Sequence, residues 1–249
     1  MNQHITDSYI LSPRHQLSVS VHGVGGTGSF LLSKLARLNV ALQQIHGHPG
    51  LHVTAYDYDI IEEHNYVRST FSPSDAGLPK ASTIITRINR YYGLKWEGLD
   101  RKMTKDDQNT NIVFLCVDSL KSRKDIIKVI TSHGGYHNSA HYYTFDVGNG
   151  DNYGQVILTA AKEEIYLKKS FKSLPMLKYA WELFSIKEEE DKPSCSMRES
   201  LNAQSLFINE FAAIITAEYF KEFILYPKIT YNSIFFNLND LSIKKGFIE

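Results

Sequence analysis

Residues 23–29 read Gly-Val-Gly-Gly-Thr-Gly-Ser, directly behind the β-type run Leu17-Ser-Val-Ser-Val-His22. A strand that leaves through glycines into a helix brings its backbone close to a phosphate without Cβ obstruction. The helix N–H groups then point at the anion. Gly23, Gly25 and Gly28 stand at G-x-G-x-x-G spacing. That spacing alone does not separate nicotinamide or flavin binding from ATP binding, and a tight turn without a ligand fits it too.

The flanking pattern predicts a sheet around this loop. Phe30, Leu31, Leu35, Leu38 and Leu42 recur at helical spacing over 29–43. His46-Gly-His-Pro-Gly50 reads as a turn. Strands are expected at 51–56, 94–99, 112–117, 142–147 and 155–160, and helices at 78–92 and 120–132. A long apolar helix is expected at 201–223, followed by an alternating segment at 229–238. The continuous apolar run Ile112-Val-Phe-Leu-Cys-Val117 suits a strand covered on both faces. The predicted class is therefore α/β, a Rossmann-like doubly wound sheet, mostly parallel with antiparallel C-terminal strands. One domain is expected over 1–249, with a polar lead-in at 1–16, a nucleotide-binding half at 17–147 and a C-terminal half at 148–249. Residues 165–192 are Lys/Glu-rich with an aromatic stripe, and 187–192 read as an exposed loop.

Composition narrows the partners. Lys+Arg 27 balance Asp+Glu 27, so the whole chain has no attraction for nucleic acid or an anionic membrane. No apolar run reaches the ~18 residues of a membrane span. No basic segment leads into an apolar core near residue 1, so no secretory signal is expected. The two cysteines, Cys116 and Cys195, form no Cys-x-x-C pair, which argues against structural zinc and for a cytoplasmic setting. Cys116 reads as a small buried residue.

The residues beyond the loop carry more information. Asp57 ends the second strand and is placed to accept hydrogen bonds from ribose hydroxyls. It lies 29 residues after Gly28, further than the usual ~20, and the turn at 46–50 accounts for the extra length. Asp59 stands two residues on, on the same face of an extended chain. Then come Asn65, Arg68, Lys80, Asp118 and Arg123. A hydride-transfer enzyme needs nothing special there.

This ordered set resembles the ThiF/MoeB/HesA family, the adenylating relatives of ubiquitin-activating enzymes. The shared elements are G-x-G-G-x-G-S, D-x-D near N-x-x-R (Asp57, Asp59, Asn65, Arg68), G-x-x-K-A around Lys80, and a strand ending in Asp118 with Arg123 five residues later. Pro193-Ser-Cys195 before the late helix and Gly154-Gln-Val156 also resemble the family, so the likeness spans roughly 17–240. The inserted turn and missing zinc cysteines look most like the ThiF-related member of PRTRC plasmid-type cassettes.

The resemblance implies an ATP-dependent adenylyltransferase acting on the C-terminal glycine of a small ubiquitin-like (β-grasp) protein, with release of pyrophosphate. It implies ATP and Mg²⁺ as cofactors and a homodimer. By position, Asp57 would hold the ribose, and Gly25 and Gly26 would admit the nucleotide. Asn65, Arg68 and Lys80 would bind phosphates, and Asp118 would hold Mg²⁺. Arg68 and Lys80 also fit solvated surface cations, Asp118 also fits a helix cap, and Asp59 fits either a ligand contact or a turn. Arg123 would orient Asp118 or pack the following helix. Cys195 could accept the acyl group as a thioester, but no visible neighbour lowers its pKa, and a bystander is the simpler reading. Family dimers often insert an arginine from an N-terminal helix into the partner's site; here only Arg14 precedes the loop. Phe207, Phe211, Ile214 and Ile215 read first as core, then as dimer contacts. His133, His137 and His141 are interrupted by Gly134 and Gly135 and do not read as a metal face. A non-catalytic module that docks a ubiquitin-like partner and an NAD(P)-dependent oxidoreductase stand as alternatives.

Overall fold

A computed structural model describes residues 3–45, 47–107, 110–131, 143–160 and 205–248. Element labels run over these residues. Strand β1 (His4–Ile5) and the short helix α1 (Ser8–Leu11) precede β2 (Leu17–His22). Next come α2 (Gly26–Leu42), β3 (Leu51–Tyr56), α3 (Lys80–Tyr92), β4 (Glu97–Leu99), β5 (Ile112–Leu115) and α4 (Leu120–Thr131). The described chain resumes with β6 (Tyr143–Asn149) and β7 (Tyr153–Ala160). It ends with α5 (Ile208–Leu225), β8 (Lys228–Ile229), β9 (Tyr231–Asn237) and β10 (Ser242–Phe247).

Eight strands form one sheet in the order β10-β9-β7-β6-β5-β2-β3-β4. From β4 to β6 the neighbours are parallel, and from β6 to β10 they are antiparallel. This is the predicted architecture. The chain starts at β2 in the middle, moves out through β3 and β4, then crosses to β5 on the other side. That reversal makes the carboxyl ends of β2 and β5 the topological switch point, the place where α/β sheets bind ligands.

Alternation sets the two faces. Leu17, Val19 and Val21 of β2 join Leu31, Leu32 and Leu35 of α2 and Phe220 and Phe223 of α5 in the larger core. Burying each such side chain stabilises by about 2 kcal/mol. Edge-to-face rings tighten this core, with Phe114 against Phe220 at 5.1 Å and Tyr143 against Phe223 at 4.6 Å. On the other face, Tyr56, Val113 and Leu115 pack with Met103 and with Ile127 and Ile130 of α4. No helix among the described residues is long and apolar enough to cross a membrane.

Several boundaries differ from expectation for local reasons. Helix α2 starts at Gly26 rather than 29, because the glycine loop itself winds into the first turn. Helix α3 starts at Lys80 because Pro79 is extended, and it ends at Gly93 with φ +67°. Residues 3–16 of the lead-in form two short elements, β1 and α1. β1 pairs with β8, Ile10 is fully buried, and His4 Nε2 and the Asp7 N–H both meet the Tyr143 hydroxyl, at 3.0 and 3.1 Å. Strand β10, which the residue pattern does not predict, closes a hairpin with β9. The inserted turn before β3 is pinned by buried Asn39, whose Oδ1 accepts from the Leu51 N–H at 2.7 Å.

Candidate functional site

The four loop glycines do different work. Gly23 has φ +85°, and a Cβ there would stand 2.7 Å from the Cys116 carbonyl oxygen. A Cβ on Gly28 would strike the Gly23 carbonyl. These two therefore let β2, β5 and α2 close on one another. A Cβ on Gly26 would strike the side-chain amide of Asn209. At Gly25 a Cβ would meet nothing within 4 Å. The motif pairs Gly25 with Gly26 as the approach for a nucleotide, and the structure separates them. Gly25 faces open space that a phosphate can fill, whereas Gly26 makes room for a protein amide. The fit to a triphosphate rests on Gly25 and on the N-terminus of the 17-residue α2 behind it.

At the exit of β3 the side chains interlock. The Val24 N–H donates to Asp57 Oδ2 at 2.6 Å, and the Asp59 N–H donates to Asp57 Oδ1 at 2.9 Å. Burial raises the Asp57 carboxyl above its ordinary value, against the pull of these two N–H groups and of Lys80. Lys80 is only 7% exposed, and its Nζ lies 3.1 Å from Asp59 Oδ2. The backbone repeats the tie, with the Lys80 N–H donating to the Asp59 carbonyl at 3.0 Å. Lys80 is thus a buried cation at the head of α3, not a solvated surface lysine.

Arg68 lies on the segment between these elements. The short 3₁₀ turn Glu63–Asn65 begins it, and Asn65 Oδ1 accepts from the Glu62 N–H at 2.9 Å. Asn65 thereby shapes its own turn, with its Nδ2 still available as a donor. The Arg68 carbonyl accepts from Asn209 Nδ2 at 3.3 Å, and the Thr70 N–H donates to Ser29 Oγ at 3.2 Å. The segment is therefore laid against the start of α2. Arg68 is half-buried; burial lowers its pKa, and the Asp151 carboxylate opposes that shift.

The exit of β5 is built otherwise. Asp118 is exposed, and Ser119 takes the cap position, its Oγ accepting from the Ser122 N–H at 3.1 Å. The cap reading of Asp118 therefore passes to its neighbour. Among the described residues no ion pair joins Arg123 to Asp118. Its guanidinium pairs with buried Asp146 and donates to the carbonyls of Val117 at 2.6 Å and Val147 at 3.1 Å. It holds the backbone one residue before Asp118. Beside it, half-buried Cys116 has its thiol pushed up to about 12 by burial, which disfavours the thiolate.

The loop, Asp57, Asp59, Lys80 and the Arg68 backbone are thus joined through hydrogen bonds. Asp118 joins them through the sheet, since the Cys116 N–H donates to the His22 carbonyl at 2.8 Å at the end of β2. All stand at the carboxyl ends of β2, β3 and β5. Cys195, the Pro193-Ser-Cys195 segment, residues 165–192 and His133, His137 and His141 lie outside the described residues. Sequence reasoning misses Asn149, Asp146, Ser119 and Asn209. For Asn209 a signal exists: an amide between Ile208 and the apolar run that starts at Phe211, at the head of the late helix.

A family model described as ThiF family matches residues 13–245. No curated protein matches the chain. Among solved structures, a selenomethionine crystal structure of PaaA is similar, with a TM-score of 0.60. E. coli MccB with ATP, and E. coli MccB with AMPCPP and selenomethionine MccA, are similar with TM-scores of 0.58. Each is 16% identical, and each match covers 96% of this chain and 65% of the other. The chain thus spans somewhat under two thirds of the length of these proteins. At that identity the likeness is one of fold: a parallel core with antiparallel C-terminal strands.

Proposed function

Because the chain belongs to the ThiF family, whose fold is that of adenylating enzymes, we propose that it adenylates the C-terminal glycine of a small ubiquitin-like protein with ATP. The observation that carries this reading is the hydrogen-bonded chain at the exit of β3, in which Asp57 is tied to the glycine loop through Val24 and, by way of Asp59, to buried Lys80, beside open Gly25. One of the similar structures contains an ATP analogue together with a second component, MccA, which suits a crevice that admits a nucleotide and a partner. Family membership favours adenylation over hydride transfer.

In this reaction a carboxylate oxygen of the partner's terminal glycine attacks the α-phosphorus. The bond from that phosphorus to the bridging oxygen breaks, and pyrophosphate leaves. The nucleophile is already ionised, so the protein must chiefly neutralise charge on the triphosphate. Asp57 accepts from the ribose, Gly25 admits the phosphates, and Arg68 and Lys80 offset the charge of the departing pyrophosphate. Asn65 supplies an amide donor. The exposed carboxylate of Asp118 would suit a magnesium ion, which would supply Lewis-acid charge when bound. Homodimerisation, the PRTRC-type placement and any thioester at Cys195 are secondary parts of the proposal.

The test is ATP–pyrophosphate exchange with β-grasp proteins encoded beside this chain. Exchange should require Mg²⁺ and a free terminal glycine on the partner. Wild-type protein that binds ATP and the partner without exchange would instead select the docking module.

A further inference from the structure

Asn209 is 7% exposed and sits at the head of α5, which lies along α2. Its amide joins parts of the chain that are remote in sequence. Oδ1 accepts from Thr27 Oγ1 at 3.1 Å and from Asn149 Nδ2 at 3.0 Å. Nδ2 donates to the Arg68 carbonyl at 3.3 Å. The one Thr27 hydroxyl hydrogen is shared with Asn149 Oδ1, also at 3.1 Å. Thr27 is 6% exposed, so this polar knot is largely sealed from water. Gly26 is glycine because this amide occupies the space of its Cβ.

The knot has a direction. Thr27 and Asn149 define where the amide oxygen points, and that fixes where the amide N–H points. A planar amide with its oxygen held twice has little freedom left. The N–H end then holds the carbonyl of the residue whose guanidinium serves the phosphates. From these contacts we infer that Asn209 is a positioning residue for adenylation, setting Arg68 against the glycine loop from the C-terminal half of the chain. The inference rests on the adenylation reading. Asn209 touches neither nucleotide nor partner carboxylate in this scheme; it acts through Arg68.

A structural role alone would lower activity equally whatever else is mutated. A role through Arg68 would not, and a double-mutant cycle separates the two. Asn209→Ala is made alone, with Arg68→Ala and with Lys80→Ala. ATP affinity is measured by calorimetry and kcat and KM by pyrophosphate exchange. The expected result is a loss of about 30-fold in kcat for Asn209→Ala, with KM for ATP changed less than about threefold. Added to Arg68→Ala the same change should cost less than about twofold, and added to Lys80→Ala it should cost its full amount. Thr27→Val, which removes the hydroxyl that orients the amide, should repeat the pattern more weakly in a chain that keeps Asn209. Equal losses in both backgrounds overturn the inference. Coupling to Arg68 seen only in ATP affinity, with no exchange by wild type, supports the positioning role while it removes the adenylation reading. No ATP affinity in wild type overturns both.

Discussion

The exits of β3 and β5 both end in a candidate ligand carboxylate, but the two are held in opposite ways. Asp57 is bound directly, by the N–H groups of Val24 and Asp59, and is nearly buried. Asp118 is exposed, and the chain around it is held instead, by Ser119 behind it and by Arg123 gripping the Val117 carbonyl. On the proposed adenylation reading, the contrast would suit two kinds of ligand. A neutral ribose would need acceptors already in place, which a locked carboxylate offers. A cation arriving with the triphosphate would be coordinated as it settles, which suits a carboxylate that stays in water on a rigid base. An exposed Asp118 also avoids the cost of burying an unpaired carboxylate.

The comparison breaks most visibly at Asp118. Asp118→Ala should lower pyrophosphate exchange by about 10²–10³-fold while thermal unfolding stays unchanged, because its side chain is exposed and the cap belongs to Ser119. A clear drop in melting temperature would show that Asp118 is a structural residue after all. Arg123→Ala should do the reverse. It leaves Asp146 buried without its cation, and urea unfolding should show a loss of about 3–5 kcal/mol. A near-neutral result would mean that the β5 exit has no rigid base.

The strand between the exits gives the next test. His22 ends β2, is stacked on Tyr56 at 4.9 Å, and shares a hydrogen bond with Ser20 Oγ at 3.0 Å. Burial lowers its pKa to about 3, with Asp107 opposing. The unfolded chain binds this proton near 6.5 and the folded chain does not. Stability is therefore complete above about pH 6.5 and falls as the pH drops from there towards about 3, by at most about 1.4 kcal/mol per unit. His22→Gln should flatten that slope in unfolding titrations; an unchanged slope would place the acid sensitivity elsewhere. The smallest effect is expected at the cap. Ser119→Ala should cost about 1 kcal/mol of stability, and a matching loss in Asp118→Ala would reassign the cap.

Much of this is legible in the chain. Apolar repeats of period 3.6 mark α2 and α3, a continuous apolar run marks β5, and their alternation with glycines at 23–28 implies the doubly wound sheet. Lys80 and Arg68 are legible as members of an ordered set, although burial and not motif separates Lys80 from an ordinary surface lysine. The hairpin partner β10 is not legible, because Ser-Ile-Lys-Lys-Gly-Phe over 242–247 is mostly exposed and carries little apolar alternation. The packing of the lead-in is hidden for a different reason: Asp7 caps its short helix locally, but its place in the fold comes from Tyr143 and β8.

Local sequence determined the elements, their alternation and the kind of loop that ends β2, since backbone preference and hydrophobic period act between near neighbours. Only the tertiary fold decided what each loop glycine is packed against and that Arg123 grips Asp146. The same holds for the amide that meets Thr27 from 182 residues away. Hydrogen bonds of that kind depend on where the chain returns, and the return is set by packing the whole sheet, to which no short stretch of residues has access.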